Sequence, residues 1–398
     1  EAIKNVDVSG SVVYRYDNAD NKENNNVQGK DIDRNRYKIG LNLSSKVNDY
    51  VKFNSRFLVG GGDSNYSWAT TNAQENGGDA QADVSLSQAY FGFTAIPNTV
   101  VNIGKQGLTT PYTVAVDING NEQAGTGILA LSTFGPITAG AGYFNNQNLD
   151  VNANEVNISL EIAGGFSPTG GTSLGIDGGS DLYVATVQGD LDFVKLEAWY
   201  LGMQDTFNSY TLAATSKIDL AENANIGLEA RYVQLALDSE VERGLGLDDD
   251  KNSMFRVAAD GKFSIVNARL AYTKTGKDGG LTALDQDAKN TSLGWAITSN
   301  GAVDADYFQA ALGADILDNL NFTLHYGKIK AKDQTNTTKS LALHSLQNYK
   351  AEEVYGQLTY KMSKNLTTYL RYGQFEQKID GVKDIDQDAG RLQVAYTF

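Results

Sequence analysis

The sequence predicts an all-β protein: a transmembrane antiparallel β-barrel of about 18 strands, with short periplasmic turns, long extracellular loops and a third loop folded inward. Three observations predict it. Apolar and polar residues alternate with period two in segment after segment, which gives each strand one oily and one wet face. The connections between these segments alternate between short and long. The first and last segments carry the same alternation, so the sheet can close on itself and leave no edge.

The segments justify this in order. Val6, Val8, Gly10, Val12, Tyr14 and Tyr16 alternate with Asp7, Ser9, Ser11, Val13, Arg15 and Asp17. Tyr37, Ile39, Leu41 and Leu43 alternate with Arg36, Lys38, Gly40 and Asn42, and Phe53, Phe57 and Val59 oppose Lys52, Asn54 and Arg56. The pattern returns at Ile226–Val233, Phe255–Phe263, Phe322–Gly327 and Glu353–Met362. At the end, Leu392, Val394, Tyr396 and Phe398 share one face, and Arg391, Gln393, Ala395 and Thr397 share the other. Termini usually fray in water, so a terminal aromatic on a strand fits a closing stave.

Short turns are expected near Asn48, Pro97, Gly135, Asp190, Glu222, Ser264, Asp318 and Lys364. Longer polar stretches fall at 18–35, 60–83, 107–124, 145–181, 236–253, 276–305, 331–350 and 376–390, and the connection near Gln204–Asp205 is a short exception. A solenoid would show a fixed repeat length, and a string of sandwiches would show linkers; neither is present. Residues 1–398 therefore read as one barrel, with 107–124 as its constriction loop.

Composition agrees. The chain has 398 residues, 41 Gly, 21 Tyr and 4 Pro, and Tyr outnumbers Phe, as expected where rings sit at two membrane interfaces. Mean hydropathy is −0.35, and no apolar run reaches the ~20 residues of a membrane helix. The absence of Cys excludes disulfides and thiol chemistry. A net charge of −15 argues against nucleic-acid binding, which needs clustered positive charge. Only His325 and His344 are available for a hydrolase, with no placed nucleophile, so no enzyme is expected. The chain opens on a loop-like Glu1–Asn5, read as the start of a mature, exported form.

Projecting the polar faces inward places Arg15, Arg36, Lys38, Lys52 and Arg56 from the first three strands beside Arg371 and Arg391 from the last two. Closure makes these strands neighbours, so one wall of the lumen is expected to be basic. The third long connection is more apolar than the others, with Leu108, Val114, Val116 and Ile118, and prefers a packed site inside the barrel. Folding it inward puts Asp117 and Glu122 across from the basic wall as constriction acids. Asp117, Asn119, Asn121 and Glu122 also offer oxygen ligands, although Gly120 and Ile128 break the EF-hand pattern. With Asp150, Glu155, Asp285 and Asp287 from two further loops, they form a candidate Ca²⁺ set, against the plainer reading of solvated loop acids such as Asp248–Asp250. These features fit a water-filled outer-membrane channel for small hydrophilic solutes and ions. The alternative on the same fold is a substrate-specific channel or a surface adhesin.

The start Glu1–Gly10 followed by Tyr14–Asp17, the segments Ile103–Gln106 and Gly125–Gly127, and the end Arg391–Phe398 resemble the campylobacterial major outer membrane porin family. The resemblance follows the whole chain in order of elements. It implies an 18-strand general-diffusion porin in the bacterial outer membrane, homotrimeric, surrounded by lipid and lipopolysaccharide, with an inward third loop and mild cation preference. It also implies calcium held by constriction acids. Asp117 takes the position of the family's third-loop acid, Asp150 or Glu155 that of the fourth loop, and Asp285 or Asp287 that of the seventh. The residues Gly120–Glu122 enlarge the third loop relative to the family.

Overall fold

The computed structural model describes residues 5–22, 31–62, 66–72, 82–149, 176–331, 348 and 350–398. Its strands are β1 (Val6–Asn21), β2 (Ile32–Lys46), β3 (Val51–Gly60), β4 (Ala69–Asn72), β5 (Asp83–Phe93), β6 (Thr99–Gly107), β7 (Ala124–Phe134), β8 (Ile137–Gln147), β9 (Leu182–Leu191) and β10 (Val194–Met203). They continue with β11 (Phe207–Ala221), β12 (Ala224–Leu237), β13 (Lys251–Phe263), β14 (Val266–Thr275), β15 (Ala305–Leu317), β16 (Leu320–Ala331), β17 (Lys350–Ser363), β18 (Leu366–Ile379) and β19 (Val382–Thr397). A single helix among the described residues, α1 (Ser239–Leu245), sits in the loop after β12, capped by Asp238 and by Gly246 in the left-handed conformation.

All the strands belong to one antiparallel sheet, and β1 pairs with both β2 and β19, so the sheet is closed. β4 is not an extra stave. β2 pairs with β3 as far as Ile39↔Val59 and then with β4 from Tyr37↔Ala69, so β3 and β4 are two parts of one stave. The barrel thus has 18 staves. Closure reaches the last residue: the Gly10 amide donates to the Phe398 carbonyl at 2.9 Å, and the Phe398 amide donates to the Gly10 carbonyl at 3.1 Å. The terminal aromatic is therefore held by the ladder and does not fray.

The expected alternation sets the two faces. Leu212, Leu228, Leu270, Leu312, Leu324 and Leu370 are exposed on the outer surface, where lipid would cover them. Outward tyrosines mark a belt near the loop side: Tyr143 donates its hydroxyl to Asp181 at 2.9 Å, and Tyr210 donates to Gln234 at 2.8 Å. The apolar core lies inside the lumen, where Leu108, Tyr112, Leu284 and Ile297 of inward loops meet Phe144, Leu182 and Leu201 of the wall.

Three elements differ from expectation. The stretch 376–390 is not a long loop: β18 and β19 run on to a two-residue turn at Asp380–Gly381, with φ 50° and 78°. Two successive positive φ values define the tight hairpin turn that Asp-Gly favours, and the polar composition of these strand ends obscures it. The turn expected at residues 189–191 lies at Asp192–Phe193 instead. The seventh connection, 276–304, is inside the barrel along with the third: Leu281, Thr282, Asn290, Ser292 and Ile297 are all buried.

Candidate functional site

The third loop, residues 108–123, leaves β6 and returns to β7 after crossing the lumen. Of the four apolar residues expected to pack inside, Leu108 is buried in the internal core, Val114 and Ile118 are half-buried and Val116 is exposed, so polar contacts to the wall do much of the holding. At its far reach Tyr112 is fully buried and accepts a hydrogen bond at 2.8 Å from the Thr211 hydroxyl of β11. On the near side, Lys38 of β2 donates to the Asp117 carbonyl at 2.7 Å. Lys38 and Arg56 both meet the Glu122 carboxylate, at 2.9 Å and 2.6 Å.

Glu122 thus stands differently from expectation. It does not face the basic wall across open water; it is pressed against that wall, wholly buried, with one carboxylate against two cations. The physical reason is desolvation: a loop folded onto a wall carrying Lys38 and Arg56 would bury two unpaired charges unless it brought a carboxylate with it.

The seventh loop packs on the third. The Gln123 side-chain amide donates to the Leu284 carbonyl at 2.9 Å, the Leu284 amide donates to Tyr112 at 2.8 Å, and the Asn290 amide donates to Pro111 at 2.9 Å. Two sets of wall residues hold this second loop. Arg256 of β13 donates to the carbonyls of Thr291 and Lys289 at 2.7 and 2.8 Å, while Glu229 balances its charge at 2.6 Å. On the other side, buried Glu353 of β17 accepts the amides of Trp295 and Ala296 at 3.0 and 2.8 Å. Gly294 is required there, since a Cβ would stand 1.6 Å from a Glu353 oxygen. Glu229, Arg256 and Glu353 are legible in the sequence as inward polar residues, but period-two patterning does not say which loop each would hold.

The basic wall and the loops enclose a space of about 450 Å³ lined by Arg15, Arg36, Arg371, Arg391, Trp295 and Tyr369, with Asn119 and Asp287 of the two loops also on its lining. Asp17 accepts from Arg36 and Arg391, each at 2.6 Å. Arg15 donates to Gln393 at 2.6 Å and to Asn119 at 2.6 Å, and Arg371 donates to Gln357 at 2.6 Å. Aromatic rings stack on the guanidinium groups: Trp68 lies 4.7 Å from Arg15 and 5.4 Å from Arg36, and Trp295 lies 5.1 Å from Arg371. Trp68, from the stretch between β3 and β4, is a lumen residue that alternation could not find because it lies outside a strand. Lys52 shares the lumen face with Arg56 but sits four residues nearer the short turn and is exposed, away from this site.

Where the two loops meet, Asp117 lies with Asp285 and Asp287 of the seventh loop, their carboxylate oxygens within 4.8 Å of one another. Like Glu122, the Asp117 segment is tied to the basic wall, through Lys38 on its own carbonyl and Arg15 on Asn119. Burial, reinforced by Asp287, raises the Asp117 carboxyl to about 7, and burial with Asp117 alongside raises Asp285 to about 7. Asp287 is raised by burial and by Asp285. Backbone amides of Asn119 and Asn121 point at Asp117, at 2.6 and 3.3 Å. Asp150 and Glu155 lie outside the described residues, as does His344. His325 stacks on Tyr355 at 4.5 Å.

Solved structures share this architecture. Pseudomonas aeruginosa OccK5 (OpdH) matches with a TM-score of 0.69 at 15% identity, over 99% of this chain and 98% of its own. The P. aeruginosa outer membrane protein OprD matches at 0.67 and 16%, over 98% and 93%, and P. aeruginosa OpdK, solved with vanillate, at 0.69 and 15%, over 98% of each. At such identity the likeness is one of fold. A comparison with curated proteins finds no match. Residues 1–398 match the Campylobacter major outer membrane protein family, and with the closed 18-stave barrel this makes the chain a member of that family, a protein of the outer membrane.

Proposed function

We propose that the barrel is a porin for passive diffusion of small hydrophilic solutes and ions, with a mild cation preference and a bore set by the third and seventh loops together. The observation that carries this reading is the pair of loops pinned across the lumen, with an acidic trio where they meet, beside an arginine wall. Cation preference would come from the chain's net charge of −15, which concentrates cations in the mouths, and from the trio itself. In keeping with the family resemblance, the functional unit is proposed to be a homotrimer embedded among outer-membrane lipid and lipopolysaccharide.

Asp117, Asp285 and Asp287 are proposed to hold Ca²⁺. Three carboxylate oxygens this close suit a hard cation of flexible coordination, with water completing the shell. Their raised proton affinity supports this reading, because like charges held together out of water recruit either protons or a cation.

Reversal potentials of single channels across a salt gradient test both parts. In chelator the wild type should prefer cations, and adding Ca²⁺ should reduce that preference as the trio's charge is neutralised. Asp117→Asn in chelator should start from a lower cation preference and respond less to Ca²⁺. Selectivity indifferent to both changes would remove the trio from the ion path.

A further inference from the structure

We propose that the space bounded by Arg15, Arg36, Arg371, Arg391 and Trp295 is a binding subsite for small organic monocarboxylates, which dwell there during passage. The proposal rests on the channel reading above and adds a ligand class to it.

Charge is the first observation. Four guanidinium groups line the space, and among the described residues the only carboxylate paired with any of them is Asp17, shared by Arg36 and Arg391. Among the described residues, Arg15 and Arg371 have only neutral amide oxygens as side-chain acceptors, on Gln393, Asn119 and Gln357. Guanidinium groups left without a carboxylate are where a planar anion binds most strongly, through paired N–H donors.

Unused donors are the second. Trp295 is 8% exposed, yet its indole N–H has no acceptor among the described residues, and neither does Nε of Arg36, itself 9% exposed. Buried polar groups are nearly always hydrogen-bonded, so two orphaned donors on residues lining one cavity mark it as able to gain an acceptor; both nitrogens are closed to solvent here, so a side chain turns to present them when one binds.

The third observation selects organic anions over inorganic ones. Ala288, Leu293, Ala296 and the Trp295 ring also line the space. They give an apolar body something to pack against, whereas chloride or phosphate would exchange hydration for that surface without gain. Asp287 on the lining repels a second carboxylate, which favours monoanions. The volume of about 450 Å³ admits a solute the size of a single substituted ring.

The test uses the full-length protein in planar bilayers in potassium chloride, with benzoate, its uncharged analogue benzamide, and phosphate as separate additions. Benzoate should interrupt the single-channel current in a saturable way, and benzamide and phosphate should not. Arg371→Gln and Arg15→Gln should each raise the half-blocking benzoate concentration about tenfold, the size expected for one charge-assisted contact. Trp295→Phe keeps the ring, removes the orphaned N–H and should weaken block by a smaller factor, so the assignment does not hang on an arginine variant that folds poorly. Equal block by benzoate and benzamide, no block by either, or block by phosphate as strong as by benzoate would each overturn the assignment. Conductance that persists without benzoate sensitivity sinks this subsite alone, whereas a purified barrel without conductance sinks the channel reading beneath it.

Discussion

Glu122 shows how one side chain can hold a loop. Fully buried between Lys38 and Arg56, it neutralises half of their charge and fixes the third loop against β2 and β3. Replacing it with Gln leaves two buried cations without a counter-charge, a change that typically costs about 3–5 kcal/mol. Glu122→Gln should therefore unfold in detergent at a distinctly lower temperature than the wild type; an unchanged transition would mean the pair is dispensable. The acidic trio makes a second prediction at this scale. Asp117 and Asp285 hold protons up to about 7 in the folded state, against 3.8 for an ordinary aspartate. A group whose folded pKa is raised contributes stability below its unfolded pKa and loses it as pH climbs through the folded value. In chelator, thermal stability should therefore fall between about pH 5 and about pH 8, and Ca²⁺ should cancel much of the fall. Differential scanning fluorimetry across that range, with and without Ca²⁺, checks the sign.

The seventh loop depends on a contact that only glycine permits. Gly294 lets the Glu353 carboxylate reach the amides of Trp295 and Ala296, and a methyl group at that position would collide with it. Gly294→Ala should release this end of the loop from β17 while leaving the Arg256 anchor intact, so the loop loosens without leaving the barrel. Single-channel conductance should rise and become noisier in this variant; a conductance and noise level identical to wild type would show that the latch does not shape the bore. The same element shows where period-two reasoning stops. Strands announce themselves because one face must be oily and the other wet, and the first stave is legible from Val6 to Asp17 and the last from Arg391 to Phe398. Residues 276–305 carry no such rhythm. Their place inside depends on Arg256, Glu229 and Glu353, which come from three separate strands. The hairpin at Asp380–Gly381 was missed for the opposite reason: its turn chemistry is local and readable, but the polar strand ends around it mimic a loop.

At the scale of the whole molecule, the closed sheet turns its leucines outward, and none of the described residues covers them. The purified protein should stay monodisperse only in detergent or lipid, and removal of detergent should drive association measurable by light scattering; a stable monodisperse species in plain buffer would contradict the barrel in a membrane. What the sequence by itself determined was the number and order of staves, their inward and outward faces, the closure through Phe398 and the basic side of the lumen. These are consequences of alternation, which each strand carries locally. What only the tertiary structure decided was which charges meet. Asp117 and Asp285 lie 168 residues apart in the sequence and share one site, Glu122 sits against the wall it was expected to face, and Trp68 stacks on Arg15. Closing a sheet brings its ends together by a rule visible in every stave, whereas folding two loops into the bore depends on shape and counter-charge supplied by distant strands, and no local pattern encodes that match.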